Sequence, residues 1–396
     1  MQLYWLWFVL LEELSRIQKR NLLQQFSDPE DIYLCRDFSH VPGLTQAQIT
    51  ALMDKDLTAA QRLCNICLRK DIRVLTILDE DYPSRLRNIT DPPVVLFYKG
   101  VLPPFEQLPA IGVVGTRKAT AYGMNTAKLL GNQLSACGGL VVSGGAAGVD
   151  TMALQGALDA DGQTVAVLGC GVDVVYPRTN RRLFSQIQEK GCLLSEYLPG
   201  EQPKPWHFPE RNRIISGISN GVLVIEAPER SGALITARNA LEQGRDVFAV
   251  PGNIDMPTCV GSNDLLADGA IAVRSGWDVL QEYAPQYPDV VVQQESSAHR
   301  FMPKVAQPVR LPVTDKKDID IPVNTSYSVK VDESTPFTPE ESKILACLDA
   351  TPKAMDDVIA QLDMPAGDVL KLITKLSLKG NVIIHPGKLV SKSRGR

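Results

Sequence analysis

Between about residues 79 and 284, apolar residues form short continuous runs that each end in a glycine or proline turn. Most runs are followed by a segment with apolar residues at helical spacing. Continuous hydrophobicity is typical of strands buried on both faces, and intervening helices indicate a doubly wound, mostly parallel sheet. The sequence thus predicts an α/β fold with strands at residues 111–114, 140–142, 164–168, 192–195, 221–225, 246–250 and 270–273.

Residues 1–78 have apolar positions at helical spacing and few strand signals, which predicts a helical domain. The turn at residues 41–44 resembles a helix-hairpin-helix or SAM-like module, but it lacks a glycine-rich hairpin, which favours a plain helix connection. The apolar run at the N-terminus is short, no basic residues precede it, and Glu12 and Glu13 follow it directly. We therefore interpret it as a buried helix and expect no membrane span.

Residues 285–336 are rich in proline and polar residues, which predicts a flexible linker. Three amphipathic segments follow, at residues 339–348, 355–362 and 366–378, and then two short apolar strands. Three helices and a hairpin describe a winged-helix domain at residues 337–396.

Charge and cysteine content limit what kind of nucleic-acid site, cell compartment and metal site the chain can have. The chain has 41 Lys and Arg against 45 Asp and Glu residues, a net charge of −4, so any nucleic-acid site has to be a local patch. Its 8 scattered cysteines indicate reduced thiols and a cytoplasmic protein. Cys64 and Cys67 form a C-x-x-C pair, but no second pair stands at zinc-binding spacing, so no metal is expected.

Two glycine-rich loops directly follow predicted strands. Their backbone amides, at the starts of helices, suit a phosphate, and Arg117 adds a fork of N–H donors. Tight turns in any α/β protein also use glycine, but two loops in succession, the first with Arg-Lys, favour phosphate binding. Neither loop matches G-x-G-x-x-G or G-x-x-x-x-G-K-[ST], so no nucleotide cofactor is expected. The candidate phosphate ligands are Gly115, Thr116, Arg117, Lys118, Ser143, Gly144, Gly145 and Gly148.

Basic and aromatic residues alternate at residues 175–182 and 204–213. Cations hold phosphates while a ring stacks on an unpaired base, so this mixture suits single-stranded nucleic acid. The alternative is a solvated basic face above rings that pack in the core, which we expect for Trp206 but not for Phe208. The candidate contacts in these segments are Arg178, Asn180, Lys204, Phe208, Arg211, Asn212 and Arg213.

The four histidines suggest neither a Ser-His-Asp order nor a metal cluster, so a nucleophilic enzyme is not supported. After the fifth strand, Ser231 and Gly232 are two further candidate phosphate ligands. Together with Glu226 and Arg230, however, they also have the chemistry to orient a small nucleotide. Reactions on a nucleotide therefore stay open as an alternative.

The chain resembles the DprA (Smf-type) DNA-processing family over most of residues 80–284. The blocks that carry the resemblance include VVGTRKATAYG, VVSGGAAGVD, HFPERNRIISGISNG and EAPERSGALITARNALEQGRDVFAVPGNI. It implies a Rossmann-like core that binds and protects incoming single-stranded DNA, forms homodimers and loads the RecA recombinase during natural transformation, without catalysis. It also implies that the main DNA contacts are Arg117, Arg178, Lys204, Phe208, Arg211, Asn212 and Arg213.

One departure from the family pattern follows the second glycine loop. The family commonly has G-I-D-x-A-A-H, whereas this chain has Leu154 in place of the histidine, and Gly145 replaces the loop's usual leucine. Both changes weaken any acid–base role. The competing interpretation, a nucleotide phosphoribohydrolase, requires P-G-G-x-G-T, but residues 228–233 read PERSGA.

The winged-helix domain leaves two roles open. Its basic C-terminal residues suit duplex DNA, but its helices carry several aspartates, and a contact with another protein is equally consistent. The basic residues are Lys388, Lys392, Arg394 and Arg396.

Overall fold

The computed structural model describes residues 2–293, 338–349, 353–362, 364–378, 381–385 and 389–392. The chain divides into two compact units, Met1–Gln307 and Pro308–Arg396. Most of the predicted linker, from residue 294 onward, lies outside the described residues, as do Lys388, Arg394 and Arg396.

The first unit opens with helices that share a core with the sheet. Helix α1 is buried through Trp5, Leu6 and Phe8, as its apolar sequence predicts. Among the described helices, none is long and apolar enough to cross a bilayer. These first helices are α1 (Gln2–Leu10), α2 (Arg16–Gln25), α3 (Pro29–Leu34), α4 (Gln46–Met53) and α5 (Thr58–Arg69).

A nine-stranded sheet follows, with the order β1-β2-β6-β5-β4-β3-β7-β8-β9. Strands β3 to β9 pair in parallel and include all seven predicted strands, which confirms the doubly wound α/β fold. The strands are β1 (Arg73–Thr76), β2 (Val95–Gly100), β3 (Ala110–Val114), β4 (Leu140–Ser143), β5 (Thr164–Val167), β6 (Cys192–Ser195), β7 (Gly221–Val224), β8 (Asp246–Ala249) and β9 (Ile271–Ala272).

The sequence does not predict β1 and β2, which extend the sheet in the antiparallel direction. Strand β1 lies within residues 1–78, where the sequence predicts a helical domain with few strand signals. It has four residues and pairs with β2 alone, and so short a run has no periodicity of its own.

Helices cover both faces of the sheet. Ile111 and Val113 of β3 enter a core formed with α7, α8, α9 and α13, whereas Ala110 and Val114 enter the core that contains α10, α11 and the N-terminal helices. The helices of this part are α6 (Ser84–Arg87), α7 (Ala121–Ala136), α8 (Val149–Asp159), α9 (Arg181–Lys190), α10 (His207–Ile218), α11 (Gly232–Glu242), α12 (Val260–Ala267) and α13 (Gly276–Leu280).

The strand order reverses at β3 and β7. From this adjacent pair, the chain runs outward through β4, β5 and β6 on one side and through β8 and β9 on the other. In open α/β sheets, ligands bind beyond the carboxyl ends of the strands at such a switch point.

The second unit is a winged helix, as predicted. Its three helices pack around Ile344, Val369 and Ile373, and its sheet has the order β10-β12-β11. Its elements are α14 (Pro339–Cys347), β10 (Lys353–Ala354), α15 (Met355–Gln361), α16 (Ala366–Leu378), β11 (Val382–His385) and β12 (Leu389–Lys392).

Candidate single-strand-binding cleft

A cleft of about 600 Å³ opens at the carboxyl ends of β3 and β7. Most of its lining comes from three segments: the loop after β3, the loop after β7 with the start of α11, and the segment around the start of α10. Their cleft-lining residues include Gly115, Thr116, Arg117, Lys118, Pro205, Phe208, Arg211, Asn212, Arg230, Ser231 and Gly232. Ala146, Asp150 and Tyr176 complete the wall.

The loop after β3 is fixed to its neighbours by its backbone. The Thr116 amide donates to the Glu226 carbonyl oxygen at 2.7 Å, and the Thr116 carbonyl oxygen accepts from the Val149 amide at 3.3 Å. Gly148 has a φ of +84°, and a Cβ there would lie 2.5 Å from the Thr116 carbonyl oxygen. Only glycine therefore lets the two glycine loops pack together, while Arg117 remains exposed.

Arg117 and Phe208 form the most distinctive pair in the cleft. The Arg117 guanidinium carbon lies 4.8 Å from the centroid of the half-buried Phe208 ring. The Tyr176 ring lies 5.5 Å from the Phe208 ring, and a Cβ on Gly169 would come within 2.9 Å of it. The fold thus holds an aromatic ring at the cleft wall with a cation beside it.

Arg211 lines the cleft but is almost entirely buried. Its Nη1 donates to the Gly144 carbonyl oxygen at 2.8 Å and also to the Val167 carbonyl oxygen, so it ties together the ends of β4 and β5. Burial lowers the pKa of Arg211 to about 10, which leaves it cationic at neutral pH. Burial raises the pKa of the nearby Asp150 to about 6, although Arg211 acts in the opposite direction.

Arg213 faces away from the cleft, toward the N-terminal helices. Its guanidinium pairs with Asp91 at 2.9 Å and with Glu196 at 2.7 Å. Arg16 of α2 pairs with the same Glu196 at 3.2 Å and with Glu210 at 2.7 Å. The structure therefore does not bring Arg213 together with the other predicted contacts; the ion pairs fix α10 to α2.

Two other predicted contacts, Ser143 and Asn180, are buried and shape the glycine loops. Ser143 Oγ donates to the Val113 carbonyl oxygen at 2.6 Å. Asn180 Nδ2 donates to the Gly145 carbonyl oxygen at 3.0 Å and to Thr151 Oγ1 at 2.7 Å. Neither side chain lines the cleft.

Asn212 and Ser231 join the start of α11 to the cleft. Asn212 Nδ2 donates to the Gly232 carbonyl oxygen at 3.1 Å. Ser231 caps α11, because its Oγ accepts from the Ala233 amide at 3.2 Å. Arg230, which the sequence connects only with a small nucleotide, lies directly before this cap and is exposed in the cleft. An arginine beside a capping serine at a strand end is the signal that could have added it to the predicted ligands.

Glu226, the acidic residue that the nucleotide-reaction alternative requires, does not face the cleft. Its side chain is buried, and its carboxylate accepts from the Thr120 amide at 3.0 Å and from Thr120 Oγ1 at 3.2 Å. It therefore caps the start of α7 and does not line the cleft. Among the described residues, no group of three or more His, Cys, Asp or Glu is placed to hold a metal ion.

The prediction that Trp206 packs in the core is wrong, since its side chain is 60% exposed. The residue stands one position before α10, whose buried side begins with His207.

Two other predicted contacts, Arg178 and Lys204, are exposed. Lys204 pairs with Glu201 at 3.2 Å. Leu154 of α8, which replaces the family's histidine, is fully buried in the core. It does not line the cleft, so this departure from the family pattern leaves the cleft wall unchanged.

These features define a Rossmann-like protein with a cation-lined cleft at the switch point of its sheet. The chain matches the family model of DNA recombination-mediator protein A over residues 73–284 and that of the DprA winged helix domain over residues 330–388. The protein Smf of Synechocystis is 34% identical over 393 residues, which cover 98% of this chain and 97% of that protein. The chain belongs to the DprA family of DNA-processing proteins.

Two further comparisons agree with this assignment. The DNA processing protein DprA of Streptococcus pneumoniae is 47% identical over 212 residues, 52% of this chain and 73% of that protein. The X-ray structure of DprA from the same species superposes with a TM-score of 0.62 and 36% identity, and the match covers 71% of this chain and 98% of that one.

Proposed function

We propose that the cleft binds single-stranded DNA and that the protein is a non-catalytic mediator that protects incoming DNA and loads the RecA recombinase onto it during natural transformation. The pair of Arg117 and Phe208 is the observation that carries this proposal. A guanidinium holds a phosphate with several donors, and a fixed ring stacks on a base. Together they recognise the two chemical groups that repeat along a nucleic-acid strand.

The preference for a single strand follows from the ring. Phe208 is half-buried in the wall of the cleft, so a base has to enter the cleft to stack on it. A base in a duplex is already stacked and paired, and extracting it costs a few kcal/mol. An unpaired base enters without that cost.

We assign the phosphate contacts to the exposed cations and to the backbone at the two strand ends. Arg117 and Lys118 follow β3, and Arg230 precedes α11, whose first amides have no partner within the helix. The groups assigned to direct contact are Gly115, Thr116, Arg117, Lys118, Arg178, Lys204, Phe208, Arg230, Ser231 and Gly232. The groups assigned to shaping the cleft are Ser143, Gly144, Gly145, Gly148, Asn180, Arg211 and Asn212. Arg213 is assigned to fixing α10 behind the cleft.

Fluorescence anisotropy with labelled single-stranded and duplex oligonucleotides at one salt concentration tests the proposal. The wild type should prefer the single strand, and Arg117→Glu should remove most of the binding because it places a carboxylate beside the phosphates. The control is Arg62→Glu, the same change of charge at an exposed arginine of α5. Equal affinity for both DNAs, or equal effects of both variants, would contradict the proposal.

The RecA and self-association parts of the proposal rest on the chain's membership of a recombination-mediator family. They require that the protein speeds formation of RecA filaments on single strands covered by a single-strand-binding protein, and that it is dimeric in solution. The competing enzymatic function predicts release of free base from nucleoside monophosphates. We expect no release, because the glutamate at the end of β7 is engaged at the start of α7.

A further inference from the structure

Trp206 has an unusual setting for a large aromatic residue. It exposes 60% of its surface, whereas a buried tryptophan removes some 150–250 Å² from water and contributes strongly to a core. A single exposed apolar side chain needs no explanation by itself. Trp206, however, stands between Pro205 and Phe208, which both line the cleft.

The indole of Trp206 contacts a buried histidine. Its ring meets the His207 ring edge-on, with centroids 5.9 Å apart. His207 is itself buried and stacked on Tyr197 at 3.9 Å, with its Nδ1 3.2 Å from the Gly169 carbonyl oxygen. A tryptophan side chain has only two rotatable torsions, so an exposed indole loses little conformational entropy when a ligand stacks on it.

A cation accompanies this ring as well. Lys204 Nζ lies 6.0 Å from the Trp206 centroid, which repeats the combination of Arg117 with Phe208. Glu201 is the acidic group nearby, and it contacts Lys204 at 3.2 Å and His207 Nε2 at 3.5 Å. The ion pair is exposed on the lysine side, so a phosphate can compete with Glu201 for the ammonium group.

We propose that Trp206 is a second stacking platform, on which a base of the single strand rests after it leaves the cleft, while Lys204 holds the adjoining phosphate. This inference rests on the proposed function and extends its binding site. Two residues of chain span at most about 7 Å, so the strand that reaches Phe208 passes close to Trp206. Residues two apart do not share a helix face, so the two rings offer separate platforms rather than one.

The test uses the full-length protein with oligothymidylates of two lengths, one just long enough for the cleft and one several nucleotides longer. Trp206→Ala should weaken binding of the longer oligonucleotide about 5- to 150-fold, the loss for one stacked base, and should hardly change binding of the shorter one. Trp206→Phe should restore most of the affinity. Leu68→Ala is the control, because Leu68 is 74% exposed on α5.

Tryptophan fluorescence gives a second readout. Trp5 and Trp7 are buried and Trp277 is half-buried, so Trp206 should account for most of the emission that the longer oligonucleotide quenches, and Trp206→Phe should lose that quenching. Tight wild-type binding without quenching, and unaffected by Trp206→Ala, would overturn the inference about Trp206 alone. No binding by the wild type would overturn the proposed function itself.

Discussion

Arg211, Asn212 and Arg213 are consecutive, yet the structure gives each a different task. Arg211 ties strand ends together, Asn212 holds the start of α11, and Arg213 pairs with two carboxylates behind the cleft. Their residue types suggest phosphate contacts from sequence alone. A helix turns about 100° per residue, so neighbours necessarily face different surroundings.

Arg213→Ala should therefore reduce stability rather than DNA affinity. It removes a partner of Asp91 and Glu196, and because both carboxylates are partly exposed and also contact Arg16, the loss should be about 1–3 kcal/mol. Urea denaturation should show a large drop for Arg213→Ala. Lys118→Ala, at an exposed cleft residue, should change the free energy of unfolding by less than about 0.5 kcal/mol but weaken binding. The reverse pattern would show that Arg213 reaches the DNA.

The titration of one residue, Asp150, should make both stability and DNA affinity depend on pH. Burial raises its pKa to about 6 from 3.8. The folded protein therefore retains a proton that the unfolded chain releases, and this group's contribution to stability is lost as pH rises from about 4 to 6. Protonation also removes a negative charge from the cleft wall, so affinity for single-stranded DNA should increase as pH falls through about 6. Anisotropy titrations should show this rise in affinity in the wild type and not in Asp150→Asn. The same dependence of affinity on pH in both proteins would contradict the role of Asp150.

At the scale of elements, the two glycine loops behave as one unit. The loop after β3 and the start of α8 meet at Gly148, where a side chain would collide with the carbonyl groups of Thr116 and Arg117.

Most helices and strands could be predicted from the sequence. Buried parallel strands have a strong apolar signal, and glycine marks the strand ends, whereas the antiparallel strands β1 and β2 and the orientation of Trp206 depend on tertiary packing.

Gly148→Ala should destabilise the protein by about 1–3 kcal/mol, since it combines a positive φ with a steric collision. It should also weaken DNA binding, because the displaced loop carries Arg117. Gly232→Ala is a suitable control for stability, as its Cβ would meet no atom within 4 Å. Equal stability of the two variants, measured by thermal unfolding, would show that the loops are not packed as a unit.

At the scale of the whole molecule, the cleft belongs entirely to the first unit. Every residue that lines it lies between Val114 and Thr236, and the winged helix has its own core. A chain ending at residue 293 should therefore fold and bind single-stranded DNA within about 0.5 kcal/mol of the full-length protein. Loss of binding by this shortened chain, despite a normal unfolding transition, would assign part of the site to the second unit.

The most direct test of the central claim is to locate the DNA on the protein. An oligothymidylate with a photoreactive base is crosslinked to the full-length wild type, and the modified peptides are identified by mass spectrometry. We predict crosslinks in the loop after β3 and in the segment of residues 203–212, centred on Phe208. Crosslinks confined to residues 338–392, with none at the cleft, would contradict the account.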